Sequence, residues 1–375
     1  MSGSVLSSQE INAKLLEQGV IFTKGDLDKS RIKPASMDIC FGDEAFELEA
    51  TFLPEAGRAV FDQIKDRTKR RFSLNNGARL EVGNTYAIPL QLGIDLRGDR
   101  EGIQAKFNPR SRMGRIDFFL RALLDGVRFY DKVPANYKGD VFVLAQPCSF
   151  PIIAYPGVPA VQARFYTGDP FLTDTQIRRS MNNTREIELY EGERRLFSSD
   201  IEIRDGVTNT VDLKGQILGF KSKKFPGRRE EWPAIDLKKE GAHDVLDYFE
   251  VIVDKKDGIL VLDPETFYLF QTVQGFKMAP NLCADIAATD AAIGEFRSHY
   301  AGFVDPGFTG TITLEMRVFS RTELRHGQPV CRTIYEAMEH PAEVEYGDSI
   351  GSAHYKQSHP NPGAYFDMKQ LKSLI

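Results

Sequence analysis

Ser8 through Gln18 carries Ile11, Leu15 and Leu16 at helical spacing, which predicts a short helix capped at Ser7 or Ser8 and stopped by Gly19. Beyond it the helical period fades, although Asp174 to Glu193 also reads as helical. Short apolar or alternating runs recur instead: Leu80 to Leu92, Asp140 to Gln146, Val161 to Tyr166, Tyr248 to Val253, Ile259 to Leu262, Thr266 to Val273, Thr311 to Val318 and Val330 to Ala337. Gly, Pro, Asn and Asp punctuate them. This pattern predicts a protein that is mainly β, built from short strands with a few short helices.

The pattern also repeats. Arg79 to Tyr86 and Ile259 to Phe267 each read as strand, turn and second strand, and Tyr137-Lys138-Gly139-Asp140-Val141 lines up with Phe308-Thr309-Gly310-Thr311-Ile312. Met113-Gly114-Arg115-Ile116-Asp117 lines up similarly with Ala291-Ala292-Ile293-Gly294-Glu295. Two diverged copies of one β-domain are expected, over 1–185 and 186–375, joined in the polar stretch Thr167 to Asn209. A chain of 375 residues is long enough to give each copy its own core.

Composition narrows the function. The net charge of -5 argues against binding a nucleic-acid polymer through global charge, while local basic pockets remain available to a small anion. The four cysteines, Cys40, Cys148, Cys283 and Cys331, have no paired spacing, which suits reduced thiols in the cytoplasm. Met1 to Val20 lacks a basic leader with an apolar run, and no stretch approaches a membrane span.

Two segments invite chemistry. After the turn Asp305-Pro306-Gly307, alternation places Thr311, Thr313, Glu315 and Arg317 on one strand face and Ile312, Leu314, Met316 and Val318 on the other. Glu315 then points away from its own core. That suits either a half-exposed strand with a solvated polar face or a general acid/base whose pKa partial burial raises toward neutrality. Arg110, Ser111, Arg112 and Arg115 crowd three guanidinium groups and a hydroxyl into six residues. They suit either a triphosphate, bound by charge-assisted forks, or a solvated basic turn. Lys69-Arg70-Arg71 and the run Lys221 to Arg229 lack that context and read as surface loops. Asp305 is equally at home as a turn-former.

The two segments resemble the halves of one active site in the dCTP deaminase branch of the dUTPase superfamily. Arg110, Ser111 and Arg115 match that family's Arg-Ser-Ser-x-x-Arg phosphate segment, with Arg112 in place of the second Ser. Ala301, Asp305, Pro306, Gly307, Phe308, Gly310 and Glu315 match the segment leading to its catalytic Glu. Lys33 to Gly42 resembles an early Pro-(Ala/Ser)-Ser-x-Asp-x-x-x-Gly signature, and Tyr346, His354, Lys356 and Gln357 fall in what looks like the closing segment. The resemblance implies two tandem dUTPase-like distorted jelly-roll β-barrel domains. It also implies Glu315 as catalytic residue, with Arg110, Ser111, Arg112, Arg115, Ala301, Asp305, Thr313, Tyr346, His354, Lys356 and Gln357 as substrate contacts. Read from the residues alone, His354 and His299 are expected to be surface or supporting residues.

Each copy lacks what the other keeps. Leu144 stands where Glu315 would be and Pro134 where Asp305 would be, while Ala287 to Ala292 aligns with the phosphate segment and has no Arg. Because relatives form homotrimers with sites between subunits, the resemblance implies a homo-oligomer whose sites join an N-type to a C-type domain. The implied reaction is deamination of dCTP to dUTP and ammonia, feeding dUMP and dTTP synthesis. No protein-bound metal is implied: none of the six histidines forms the His-x-Glu and Pro-Cys-x-x-Cys zinc set, and Mg²⁺ travels with the triphosphate. The competing readings are a dUTP pyrophosphatase, a bifunctional deaminase-pyrophosphatase and a non-catalytic nucleotide-binding paralogue.

Overall fold

The computed structural model describes residues 3–22, 29–253, 258–288, 296–298, 301–343, 347, 359–369 and 371, with 22 and 296–298 described by backbone alone. The chain forms two compact units. Unit 1 comprises Met1–Pro170 with Phe225–Glu240, and unit 2 comprises Phe171–Lys224 with Gly241–Ile375. Both are mainly β, as the alternating runs predict.

In unit 1 the strands are β1 (Ser36–Cys40), β2 (Glu44–Leu48), β3 (Thr68–Ser73), β4 (Thr85–Asp95), β5 (Gln104–Pro109), β6 (Phe118–Leu124), β7 (Lys138–Pro147) and β8 (Pro159–Thr167). One sheet runs through β5, β8 and β1, and another follows the order β6-β7-β4-β2-β3. The predicted first helix begins at Ser8. Ser7 and Glu10 form a reciprocal capping box, and the helix widens into a π-turn over Ile11–Leu16. A second helix, α1 (Val60–Asp66), buries Val60, Gln63 and Ile64 on one face. Its Ala59 cap has no side-chain acceptor, and Asp125 Oδ1 takes the Val60 N–H at 2.5 Å instead. A four-residue turn of helix, α2 (Ser111–Gly114), follows β5.

The segment Phe225–Glu240 belongs to unit 1 because Ile235–Asp236 pairs in parallel with Ile152–Ile153 and the Phe225 ring meets Phe150. One of the two expected surface loops is corrected, while the other is irregular and mostly exposed over 223–228. Lys69 to Arg71 lie in β3, where Arg70 and Arg71 pair with Glu47 and Glu44 of β2. Lys221 lies in a strand, and the Arg229 guanidinium donates to the Val82 carbonyl at 3.0 Å.

Unit 2 opens with α3 (Asp174–Arg179), whose Thr173 and Gln176 repeat the capping box of unit 1, again followed by a π-turn. The helix expected to run to Glu193 ends at Arg185, which takes a left-handed φ of 59° and turns the chain into β9 (Ile187–Glu191). Further strands are β10 (Val207–Asp212), β11 (Ile217–Ser222), β12 (Phe249–Val253), β13 (Phe267–Met278), β14 (Leu282–Ala288), β15 (Phe303–Val304), β16 (Thr309–Val318) and β17 (Pro329–Ala337). The sheet path crosses β9-β13-β10-β17-β14-β15, with β11 and β16 also on β13.

The internal repeat is visible in hydrogen bonds. Glu81 N–H donates to the Tyr86 hydroxyl at 2.9 Å, and Asp263 N–H donates to the Tyr268 hydroxyl at 2.8 Å. The residue after each tyrosine then fixes the cross-strand register: Ala87 faces Leu144, and Leu269 faces Glu315. The two strands thus carry Leu144 and Glu315 at the same place in the same fold.

Candidate active site

In unit 2 the Asp305-Pro306-Gly307-Phe308 turn is closed by the Phe308 N–H donating to the Asp305 carbonyl at 3.3 Å, with Gly307 at φ 78°. That left-handed angle suits glycine. Unit 1 makes the same turn with Pro134, Ala135, Asn136 and Tyr137: the Tyr137 N–H donates to the Pro134 carbonyl at 3.3 Å, and Asn136 takes φ 62°. Asn tolerates this region better than other side-chain-bearing residues.

From the turn, β16 carries Thr313 and Glu315 along β13. The expectation that this face is solvated is overturned, because Thr313 is 5% and Glu315 2% exposed. Ala301 N–H donates to Glu315 Oε2 at 3.1 Å. The chain reaches that position because Gly302 lies against β14: its carbonyl accepts the Ile286 N–H at 2.8 Å, and a Cβ on Gly302 would meet Ile286 atoms at 2.9 Å. A buried carboxylate on a rigid strand, oriented by a backbone amide, is placed for proton transfer. Asp305 is itself buried in the turn.

Sequence reasoning missed a polar bulge beside this acid. Between Gln271 and Gly275 the pairing of β13 with β16 slips. Thr311 Oγ1 donates to Gln271 Oε1 at 3.1 Å, Gln271 Nε2 donates to Asp212 Oδ2 at 3.2 Å, and Thr272 Oγ1 accepts the Ile312 N–H at 3.1 Å. The matching bulge of unit 1 falls in Pro89-Leu90-Gln91-Leu92, opposite β7. The available signal was polar Gln271, Thr272 and Gln274 inside an apolar strand.

In unit 1 the acid position is sealed. Leu144 is 1% exposed and clusters with Phe46, Leu48, Val60, Ile64, Ala87, Leu123 and Phe142, with α1 contributing Val60 and Ile64. The Arg segment is not a solvated turn. Arg110 caps α2 with extended backbone, and its carbonyl accepts the Met113 N–H at 2.8 Å. Its Nε lies 3.2 Å from Asp38 Oδ1, and Lys33 Nζ lies 3.9 Å from Asp38 Oδ2. Arg115 is buried, Ser111 half-buried, and Arg112 pairs with the Glu240 carboxylate. Burial pushes the Asp38 carboxyl above its ordinary range, against the opposing pull of Arg110, Lys33, Arg112 and a hydrogen bond from Gln162.

Among the sequence-predicted contacts, Ala301, Asp305, Thr313 and Glu315 share one turn and strand of unit 2, and Arg110, Ser111, Arg112 and Arg115 share one segment of unit 1. Tyr346, His354, Lys356 and Gln357 lie outside the described residues, as do His299 and 289–295.

Two family models match in tandem, the 2'-deoxycytidine 5'-triphosphate deaminase N-terminal domain over residues 2–169 and its C-terminal domain over residues 182–360. A dCTP deaminase, dUMP-forming, from Methanobrevibacter smithii is 32% identical over 44% of this chain and 77% of its own length. The chain belongs to the dCTP deaminase family. A second relative bearing the same name, from Dictyoglomus turgidum, is 29% identical over 47% of this chain and 90% of its own length. These two relatives each align to less than half of this chain. A solved dCTP deaminase from Agrobacterium tumefaciens is similar over 92% of this chain and 100% of its own, with 30% identity and a TM-score of 0.82. In this chain Arg110, Ser111 and Arg115 lie in unit 1 and Glu315 lies in unit 2.

Proposed function

We propose that the chain hydrolyses dCTP to dUTP and ammonia without zinc, in the cytoplasm, upstream of dUMP and dTTP synthesis. The observation that carries this reading is that Glu315 stays a carboxylate residue in a nearly closed setting, oriented by the Ala301 amide, where the sister domain has Leu144 in an apolar cluster. An acid buried without a task is costly to keep, and the same fold is stable with leucine there.

Glu315 accepts a proton from water as the oxygen attacks C4 of cytosine, and passes it to N3. The hydroxyl proton of the resulting tetrahedral intermediate follows the same route to the amino group, the C4–N bond breaks, and ammonia leaves. The carboxylate ends as it began. Arg110, Ser111 and Arg115, with Arg112 once released from Glu240, hold the triphosphate, whose Mg²⁺ arrives as part of the substrate. Asp305 orients the sugar, and backbone groups near Thr313 read the base edge. The nucleotide lies between an N-type and a C-type domain, within one chain or between copies in a homo-oligomer. The zinc-free reading is supported by the sequence, in which the six histidines and four cysteines do not form the His-x-Glu and Pro-Cys-x-x-Cys set of the zinc deaminases.

Incubation with dCTP and Mg²⁺, with zinc chelated, should release ammonia and leave dUTP. Pyrophosphate and dUMP as products would instead assign triphosphate cleavage to the same chain, and no turnover would leave a nucleotide-binding paralogue. Glu315→Gln should lower kcat by about 10²- to 10⁴-fold, the usual contribution of a general acid/base, while dCTP still binds. An unaffected rate removes Glu315 from the mechanism.

A further inference from the structure

The Arg cradle of unit 1 contains a group that works against its apparent task. Asp38, on β1, is 3% exposed, and its carboxylate forms ion pairs with Arg110 Nε at 3.2 Å and Lys33 Nζ at 3.9 Å, with Gln162 of β8 as its hydrogen-bond partner. When ionised, a buried carboxylate beside a triphosphate site weakens binding through its field alone. Glu240, which pairs with Arg112, is a different case: it is more than half exposed, and water can take its place.

Geometry offers a reason to keep Asp38. Arg110 stands at the junction of β5 and α2, where the backbone leaves the sheet and a long side chain has many rotamers. Engaging Nε removes that freedom and leaves the two terminal nitrogens as a fork, the arrangement that matches phosphate oxygens. β1 and β8 are paired at this point, Asp38 opposite Gln162, so the carboxylate is anchored to the sheet rather than to a loop.

We propose that Asp38 is a positioning residue of the phosphate cradle, holding Arg110 in the orientation that receives the triphosphate. The inference rests on the reading of Arg110, Ser111 and Arg115 as triphosphate ligands.

Field and positioning predict opposite signs, which makes the test decisive. In the full chain, Asp38→Asn keeps the shape of the side chain and removes the charge. Because burial already favours the uncharged form of this group, the variant should fold, and its melting temperature is measured alongside. Positioning predicts that KM for dCTP rises by about 10-fold or more while kcat changes by less than about 3-fold. The inhibition constant of inorganic tripolyphosphate, which engages only the cradle, should rise in parallel, and Asp38→Ala should raise both further. A fall in KM would show that the carboxylate acts only as an opposing charge, and an unchanged KM and inhibition constant would show a purely structural role; either overturns the proposal. If tripolyphosphate does not inhibit the wild-type chain, the reading of the cradle fails first and takes this inference with it.

Discussion

Leu144→Glu restores to unit 1 the residue that unit 2 carries at the same register position, and the structure predicts that it damages the fold without adding activity. Leu144 is 1% exposed in an apolar cluster that includes Val60 and Ile64 of α1. Losing its buried side chain costs about 2–3 kcal/mol, and a protonated carboxyl without a hydrogen-bond partner there costs about 1–3 kcal/mol more. Burial raises the folded-state pKa of the new acid above its unfolded value of about 4.3. The folded state then holds a proton that the unfolded state has lost, so stability is greatest below the unfolded pKa. It declines by about 1.4 kcal/mol per pH unit until the folded-state pKa is reached. Against a typical total of about 5–15 kcal/mol, unit 1 would be close to unfolding near neutrality. Urea unfolding of the variant and wild type, followed from pH 4 to pH 7, is the assay, alongside dCTP turnover. A difference below about 1 kcal/mol that is flat with pH, or a gain in turnover, would refute the view that this position is sealed.

Two further outcomes test the site's supports. Gly307→Ala forces a side chain into a left-handed turn and should cost about 1 kcal/mol, whereas Asn136→Gly at the equivalent turn of unit 1 should stay within about 0.5 kcal/mol, both read by thermal melting; equal effects would show that the two turns are not equivalent. Native alkylation at mildly alkaline pH, mapped by mass spectrometry, should modify the half-buried Cys148 before any other cysteine. It should spare Cys331, whose thiol is fully buried and held protonated up to about pH 12, and early labelling of Cys331 would contradict its place in the core.

The amino-acid sequence by itself determined the β-rich class, the duplication, the Asp305-Pro306-Gly307 turn, the strand that carries Glu315 and the Leu144 that stands at its place in the first copy. These are local signals, because side-chain alternation and turn residues act over a few neighbouring positions. Where local signals mislead, the reason is equally physical. The helical pattern after Asp174 stops at Arg185 because the chain must enter β9, and Lys69 to Arg71 form a strand because Glu44 and Glu47 lie across from them. Only the tertiary structure decided the environments. Periodicity tells which face Glu315 occupies but not that it is buried with the Ala301 amide donating to it; Leu144 reads as a lost acid, but not as a position closed by α1. The partners of the cradle are likewise remote in sequence, Asp38 for Arg110 and Glu240 for Arg112. Burial and ion pairing depend on which distant segments the fold brings together, and that information is held by the packing of the whole domain rather than by any one stretch of chain.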